Sequence, residues 1–544
     1  MSMTNWLKKY WPILAILLVF FVFRLPAINQ IYHQDEYRWA MQADPRFDEV
    51  SPHPPLSKQF LSLVGTVLGF EHLRFGPLFF GFLTLLLLYF MVKKLSGSKG
   101  AALVAASLYS LNVYSVIANL QIDIDGAILP FFVLLGYCAY INLKNNARSK
   151  IWWLVFVLAV AGGFLTKLSF AIFIGAIVLD FIWSGEAQVL LKKYFKLIVG
   201  VLIIVISAAY LYVKLQSGVI TYAEHFNILN FASRAYFELA FKILKSFVWL
   251  SPLLLLPIIV GLFDKEIFRR NRPWFIYLGL NIIFYTVLFD FARLTVERYF
   301  MFWILPAVII SSDWVHNVFK DFKLKHHART IILSVVGFAV LSFVILSLNP
   351  TVLPLDPKTE YVRYVRSLNF NFLIPFTGGS GPVGFYFSAL YVLVIWAICL
   401  VWLFGSYLNK KIKPLFVILF LVFSIGYNIL FLNEYLFGSI YGSVPNVAKE
   451  SVDYVLNNPD ISSVITYYDT GAYYLRLGNK YSARFYTAIT RDYTERLSTY
   501  KGYYMIVDFP AIDKRGRYWP YLERCNTVKK FNDKKIDAYI LNCG

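Results

Sequence analysis

The chain has 544 residues, of which 58% are hydrophobic and 15% are charged, and its formal net charge is +20. A soluble globular protein carries about 25% charged residues and an apolar share below half, so this composition excludes an ordinary soluble domain. Apolar stretches of about 20 residues, long enough to cross a hydrocarbon core as helices, recur along the chain. The sequence therefore predicts a polytopic α-helical membrane protein.

The excess of positive charge lies in every second short loop between the apolar stretches. The clusters of Lys and Arg are at residues 8–9, 93–99, 144–150, 192–196, 265–272, 320–329 and 410–413. This alternation follows the positive-inside rule, which places these loops and the N-terminus in the cytoplasm. Because membrane topology accounts for the charge, the sequence disfavours nucleic acid as a partner.

In chain order, the apolar stretches predict about 13 transmembrane helices. We expect them at residues 11–28, 73–92, 101–118, 124–143, 151–165, 168–184, 197–214, 244–263, 274–291, 299–316, 330–348, 384–408 and 414–432. No small-residue cleavage site follows the first stretch, so we interpret it as a retained span and not as a signal peptide. An odd number of spans puts the C-terminus on the extracytoplasmic side of the cell membrane.

This topology divides the chain into a transmembrane domain, residues 1–433, and a polar tail, residues 434–544. The first extracytoplasmic loop covers residues 29–72. In the tail, the hydrophobic pattern predicts one helix and three strands, at residues 444–457, 461–467, 503–508 and 537–541. The tail is therefore expected to be a small extracytoplasmic α/β domain. It contains Cys525 and Cys543, whose pairing depends on their distance and stays open at this stage.

Two acidic pairs lie on the outer side of the predicted membrane. Asp35 and Glu36 follow the first span, and Asp123 and Asp125 stand at the outer start of the fourth. A carboxylate at such a position can act as a general base, or it can hold a divalent metal beside a phosphate. The alternatives are ordinary loop acids for the first pair and N-capping of a helix for the second. Their common side allows both pairs to face one cavity.

Three cations are predicted at the same level. Arg293 and Arg298 lie before the tenth span, and Lys167 lies near the outer end of its own span. Arginine presents a planar fork of donors that suits phosphate. The alternatives are snorkelling to the membrane interface or a pair between Arg298 and Glu297 that ties loops together.

We assign Lys58 and Arg74, which flank the second span, to lipid headgroups.

Missing motifs narrow the possible function further. The chain contains no GxGxxG, Walker, HExxH or CxxC motif, and its inner loops are too short for a visible nucleotide site. A polyprenyl phosphate needs cations for its head and an apolar groove for its tail, and this chain offers both.

Six short motifs follow one another along roughly residues 10–320. They are DE at 35–36, SPHPPL at 51–56, RFGPLFFG at 74–81, DGAILPFF at 125–132, GFLTK at 163–167 and ERYFMFWILP at 297–306. In this order they resemble the GT-C superfamily of integral-membrane glycosyltransferases. The resemblance is closest to the branch with protein O-mannosyltransferases and the lipid A aminoarabinose transferase. The WWDYG-type signature of oligosaccharyltransferases is missing.

The resemblance implies an activity of the EC 2.4 class in the cell envelope. A sugar would pass with inversion from a polyprenyl-phosphate donor to a hydroxyl or amine of a protein or glycolipid acceptor on the extracytoplasmic face. Asp35 would be the catalytic base, with Glu36 as its neighbour. Asp125, more naturally than Asp123, matches the second acidic position, which would orient the acceptor or a metal.

The donor phosphate would be held by Arg298, Arg293 and Lys167. Family members often have a Lys before the ProPro pair, where this chain has His53, and this departure puts the phosphate contact at that position in doubt. The competing hypothesis is a transporter or lipid flippase without covalent chemistry. Transporters often show repeated halves with charges at the midplane, whereas here the acids cluster outside and no repeat is visible.

Overall fold

The computed structural model describes most of the chain. The described residues are 3–49, 51, 53–184, 236–288, 297–319, 327–347, 363–377, 384–408, 412–485, 495, 497–512, 514 and 518–544. The predicted span at 197–214 and the candidate Arg293 lie outside them.

Helices make up the larger part of the described structure. The α-helices are α1 Met3–Val22, α2 Asp35–Ala43, α3 Pro55–Leu68, α4 Phe75–Ser96, α5 Lys99–Leu111, α6 Val113–Ala118, α7 Leu129–Asn145, α8 Lys150–Thr166, α9 Ala171–Trp183, α10 Tyr236–Leu250, α11 Pro252–Phe263, α12 Lys265–Arg270, α13 Arg272–Ile283, α14 Ile304–Phe319, α15 Ala328–Ser347, α16 Ala389–Leu408, α17 Lys413–Phe437, α18 Val444–Asn457, α19 Ala472–Leu477 and α20 Trp519–Glu523. Short segments of 3-10 or π helix lie at Leu25–Ala27, Phe70–His72, Ile124–Ile128, Leu168–Phe170, Phe284–Leu288 and Glu297–Trp303.

Several of these helices are long and apolar enough to cross a membrane. Within the described ranges there are six: Phe75–Ser96, Ile124–Asn145, Arg298–Phe319, Ala328–Ser347, Ala389–Leu408 and Lys413–Phe437. Apolar side chains such as Leu154 of α8 and Phe343 of α15 are more than half exposed, as expected where lipid covers a helix. The chain is thus a multi-pass membrane protein. The total of 13 spans stays a prediction.

Two predicted spans are not straight helices. The span at 101–118 is broken at Asn112, which is extended and whose side chain accepts a hydrogen bond from the Ser115 N–H to start α6. The span at 244–263 bends by 110° between α10 and α11. Ser251, at this bend, precedes Pro252, which disfavours helical geometry in the residue before it. Hydropathy recognised both apolar stretches but not their breaks.

The C-terminal tail contains the predicted sheet. Its strands are β3 Val464–Tyr467, β4 Tyr481–Phe485, β5 Tyr503–Val507, β6 Asn526–Asp533 and β7 Ile536–Asn542, and a separate hairpin precedes them with β1 Leu373–Phe376 and β2 Phe385–Ser388. The strand order is β4-β3-β5-β7-β6. The predicted helix and three strands are confirmed, whereas β4 and β6 were not predicted. The predicted boundary between the transmembrane domain and the tail, at residue 433, falls inside α17.

Buried apolar side chains stabilise the sheet. Strand β3 lies between parallel neighbours and is buried along its whole length, as expected for a central parallel strand. Val452 and Val455 of α18 pack in one apolar cluster with Val464 and Met505 of the strands. A disulfide joins Cys525 and Cys543, which answers the question that the sequence left open.

Candidate functional site

Asp35 is the first residue of α2, so its carboxylate stands at the start of a short helix in the first loop. One of its oxygens, Oδ2, lies 2.9 Å from Nη1 of Arg298, and the side chain is 27% exposed. Arg38, one turn further along α2, is more distant, with 3.8 Å between Nη1 and Oδ1 of Asp35. Asp35 is therefore both paired with a cation and reachable from outside the protein.

Asp123 contacts the same nitrogen of Arg298. Its Oδ2 lies 3.1 Å from Nη1, and its side chain is only 1% exposed. The carboxylate also accepts hydrogen bonds from the backbone N–H groups of Ile124 and Asp125. Burial raises the pKa of Asp123, but the charges of Arg298 and Lys167 and the bond from Asp125 outweigh it and leave the pKa below its ordinary value. The N-capping that the sequence offered as one alternative for this pair is thus present, together with an ion pair to Arg298.

A second ion pair joins Asp125 and Lys167. The Lys167 Nζ lies 2.6 and 2.8 Å from the two carboxylate oxygens. Asp125 belongs to the π-helical turn Ile124–Ile128, and Lys167 is extended at the break after α8. Such irregular turns recur at functional sites because they re-aim side chains that a regular helix would direct elsewhere.

The ring of Tyr299 connects the two ion pairs. Its centroid is 4.5 Å from Cζ of Arg298 and 5.0 Å from Nζ of Lys167, within the range of cation–π attraction. The phenol also accepts a 2.5 Å hydrogen bond from Nη2 of Arg298. Sequence reasoning missed Tyr299, although it directly follows Arg298 in the motif at 297–306.

His53 lies beside this network. Its ring stacks on Trp39 with 5.2 Å between centroids. Burial, followed by the charge of Lys167, lowers the pKa of His53 to about 4. At neutral pH the ring is therefore uncharged, and it can supply a hydrogen bond but no positive charge.

Two comparisons with known proteins found matches to this chain. A family model described as dolichyl-phosphate-mannose-protein mannosyltransferase matches residues 52–212. The structure of ArnT from Cupriavidus metallidurans in the apo state is similar over 99% of this chain and 98% of that one, with 13% identity and a TM-score of 0.54. The chain therefore has the fold of this ArnT structure.

A second ArnT structure from the same organism is bound to undecaprenyl phosphate. It matches this chain over the same shares, with 13% identity and a TM-score of 0.52. At this identity the likeness concerns the fold. Among curated proteins, no sequence matches this chain.

Glu36 does not join the network of Asp35. It is fully buried against Arg74, to which it is joined by two hydrogen bonds, one of them 2.8 Å long between Nη2 and Oε2. It also accepts hydrogen bonds from the backbone N–H groups of Ile122 and His33. The assignment of Arg74 to lipid headgroups is wrong, because its guanidinium is fully buried.

The described part of the chain contains no group of three or more His, Cys, Asp or Glu side chains that could hold a metal ion. The three aspartates of the site contact Arg298 or Lys167 instead. The divalent metal considered from the sequence stays a prediction. Arg293 lies outside the described residues, so no geometry accompanies its predicted role.

Proposed function

We propose that the chain transfers a sugar from a polyprenyl-phosphate donor to a hydroxyl or amine of a protein or glycolipid acceptor, with inversion, on the extracytoplasmic face of the membrane. The observation that carries this proposal is the sharing of one Arg298 nitrogen by Asp35 and Asp123, which lie 263 and 175 positions away. Charges at the ends of apolar helices lose much of their hydration, and such groups mark functional sites. The comparisons with a mannosyltransferase family and with ArnT support the same chemistry.

The reaction is a single displacement in which Asp35 is the base. Its carboxylate accepts the proton of the acceptor hydroxyl or amine while the acceptor oxygen or nitrogen attacks the anomeric carbon. The bond from that carbon to the phosphate oxygen breaks on the opposite face of the sugar, and its electron pair leaves with the polyprenyl phosphate. Attack opposite the leaving group inverts the anomeric centre.

Arg298 and Lys167 stabilise the leaving phosphate. Negative charge grows on the phosphate oxygen as the bond breaks, and cations fixed in advance in a partly dry site stabilise it without reorganising. Their side chains are each 16% exposed, which leaves a path to a ligand. Tyr299 orients the two cations by contacting both. Arg293 is proposed as an additional phosphate contact from the sequence alone.

The remaining site residues have supporting roles. Asp123 and Asp125 hold Arg298 and Lys167, so we assign to them the positioning of these cations. His53 offers the phosphate a hydrogen bond in its neutral form. Glu36, although next to Asp35, anchors the first loop through Arg74 and does not touch the substrate. The disulfide in the tail supports an extracytoplasmic location, because such bonds persist in oxidising compartments.

The test is the replacement Asp35→Asn in purified protein supplied with labelled polyprenyl-phosphate sugars. We expect release of polyprenyl phosphate to fall by about 10²- to 10⁴-fold while donor binding is retained, because only the base is lost. Asp48→Asn is the matched control, since Asp48 is an exposed acid of the same loop. Full activity of Asp35→Asn contradicts the mechanism. Donor movement across a vesicle without release of polyprenyl phosphate identifies a flippase instead.

A further inference from the structure

The C-terminal tail contacts the residues that precede the proposed base. Oγ1 of Thr470 lies 3.0 Å from Nδ1 of His33, and the N–H of Gly471 donates to the carbonyl oxygen of Tyr32 at 3.2 Å. Both Thr470 and His33 are buried. A segment more than 430 positions away in the sequence therefore holds the chain two residues before Asp35.

The residue between this contact and Asp35 has a strained backbone. Gln34 has φ 50° and ψ −126°, a conformation that residues other than glycine rarely adopt. Such strain persists only where the surrounding structure imposes it. Gln34 is followed by Asp35, which Arg298 holds, and preceded by His33. If His33 were released, the backbone at Gln34 would be able to relax and move the carboxylate of Asp35.

His33 is held in two ways. Its backbone N–H donates to Oε2 of Glu36 at 3.3 Å, and its ring contacts Thr470. Burial and the charge of Arg74 lower the pKa of His33 to about 3, so the ring is neutral at physiological pH. The hydroxyl of Thr470 donates to the carbonyl oxygen of Tyr467 at 3.0 Å, which leaves its oxygen to accept the Nδ1–H of His33.

The turn that carries Thr470 is itself firmly built. Tyr468, Asp469 and Gly471 all have φ between 55° and 69°. The buried carboxylate of Asp469 holds this turn by accepting bonds from the hydroxyl of Tyr481 at 2.9 Å and from Nη1 of Arg484 at 2.6 Å. Because these bonds fix the turn, Thr470 can hold the first loop in place instead of moving with it.

Further along α2, the same tail makes two more polar contacts. Nη1 of Arg476 donates to the hydroxyl of Tyr37 at 2.8 Å, and the hydroxyl of Tyr473 donates to Oδ2 of Asp44 at 2.8 Å. These contacts fix the rest of the helix against the tail. The bond of Thr470 is distinct, because it holds His33, directly before the strained residue Gln34.

We propose that Thr470 is a positioning residue of the transfer reaction. Through His33 it keeps Gln34 in its strained conformation and so sets the place of Asp35 relative to Arg298. This inference rests on the proposed function, in which Asp35 is the base. The C-terminal tail would then affect catalysis through the position of Asp35, although Thr470 does not contact the substrate.

The test compares Thr470→Val, which keeps the shape but removes the hydroxyl, with Thr470→Ser, which keeps the hydroxyl. We expect kcat of Thr470→Val to fall by about 10- to 100-fold with little change in KM for the donor, because a small misplacement of a reacting group lowers the rate steeply. Thr470→Ser should recover most of kcat. Tyr539→Phe is the control, since it removes a hydroxyl that bonds Asp537 elsewhere in the same sheet.

A second measurement does not depend on activity. Hydrogen exchange of the backbone over residues 31–43 should speed up in Thr470→Val and stay unchanged in Tyr539→Phe, because only the former releases the first loop. If Thr470→Val does not fold, His33→Gln breaks the same bond from the other side and should show the same loss of kcat.

Unchanged kcat and exchange in the folded Thr470→Val protein overturn the inference, as does an equal loss of kcat in Tyr539→Phe. An active Asp35→Asn protein refutes the proposed function instead, and the exchange measurement then still reports whether Thr470 holds the first loop.

Discussion

Asp35 and Glu36 are neighbours in the sequence, both are paired with an arginine, and yet they differ in almost every physical respect. Asp35 is 27% exposed and shares the partly exposed Arg298 with Asp123. Glu36 and its partner Arg74 have no exposed side-chain surface. The difference arises because successive residues of a helix point about 100° apart, so two adjacent carboxylates face different surroundings.

The comparison separates an ion pair that we assign to the fold from one that we propose takes part in chemistry. A fully buried pair is nearly inaccessible to a ligand, and each partner depends on the other for its charge. A pair with exposed surface can exchange its partner for a substrate. We therefore expect mutations of the pair Glu36–Arg74 to act mainly on stability, and mutations of the pair Asp35–Arg298 to act mainly on activity.

The largest effect is expected from Arg74→Met. This change leaves the buried carboxylate of Glu36 without its cation and should lower the free energy of unfolding by about 3–5 kcal/mol. Thermal unfolding of the purified protein measures the loss. The double variant Glu36→Leu/Arg74→Met, in which no charge is left buried, should regain much of the stability. If the double variant is no more stable than Arg74→Met, the buried pair does not have the assigned role.

The next effect is expected from Arg298→Met. Loss of one preorganised cation should reduce transfer by about 10²- to 10³-fold, measured as release of polyprenyl phosphate. The unfolding temperature should fall less than in Arg74→Met, because Asp123 keeps its backbone hydrogen bonds and Asp35 stays accessible to water. Arg298→Lys should be intermediate, since lysine keeps the charge but lacks the planar fork. If the Arg298→Met protein is active but unstable, Arg298 supports the fold and not the transfer reaction, which contradicts this prediction.

A smaller effect concerns the pH dependence of stability. The pKa of His33 is lowered to about 3 in the folded protein, so the unfolded chain takes up a proton first as the pH falls below about 6.5. The contribution of neutral His33 is therefore complete above that pH and declines toward pH 3, with a slope of up to about 1.4 kcal/mol per pH unit. His33→Gln should flatten the stability curve between pH 6.5 and 5. A stability curve of unchanged slope in the folded His33→Gln protein would contradict this prediction.

The smallest effect is expected from Arg38→Gln. Arg38 is about half exposed and lies 3.8 Å from Asp35, so its pair is worth about 0–1 kcal/mol. Both the unfolding temperature and the rate of transfer should change little. A loss of transfer comparable to that of Arg298→Met would mean that the active cation of the site had been misidentified.

The sequence predicted the membrane class and most members of the site, for different reasons. Alternating basic loops and long apolar stretches indicated a polytopic chain, because no soluble fold can bury so much apolar surface. Asp35, Asp125 and Lys167 were singled out as charged residues on the outer side of the predicted membrane, and the resemblance to a superfamily then implied their roles. Tyr299 was missed because an aromatic residue in an apolar motif carries no signal of its own.

Other errors came from contacts that no local pattern contains. Arg74 was assigned to lipid headgroups because it flanks an apolar stretch, whereas its partner Glu36 lies 38 positions earlier. The role proposed for Thr470 depends on a contact across 437 positions. The bend at Ser251 had a visible cause in the following proline, but hydropathy averages over such a residue.

By itself, the sequence determined that this chain spans a membrane, which of its segments are apolar, and that its tail contains a sheet. These properties follow from local composition and periodicity, since hydrophobic stretches and alternating strands act within about 20 residues. Only the tertiary structure decided which carboxylate pairs with which cation. Ion pairs depend on distances of a few ångströms and on burial, and residues far apart in the sequence acquire these only when the chain is folded.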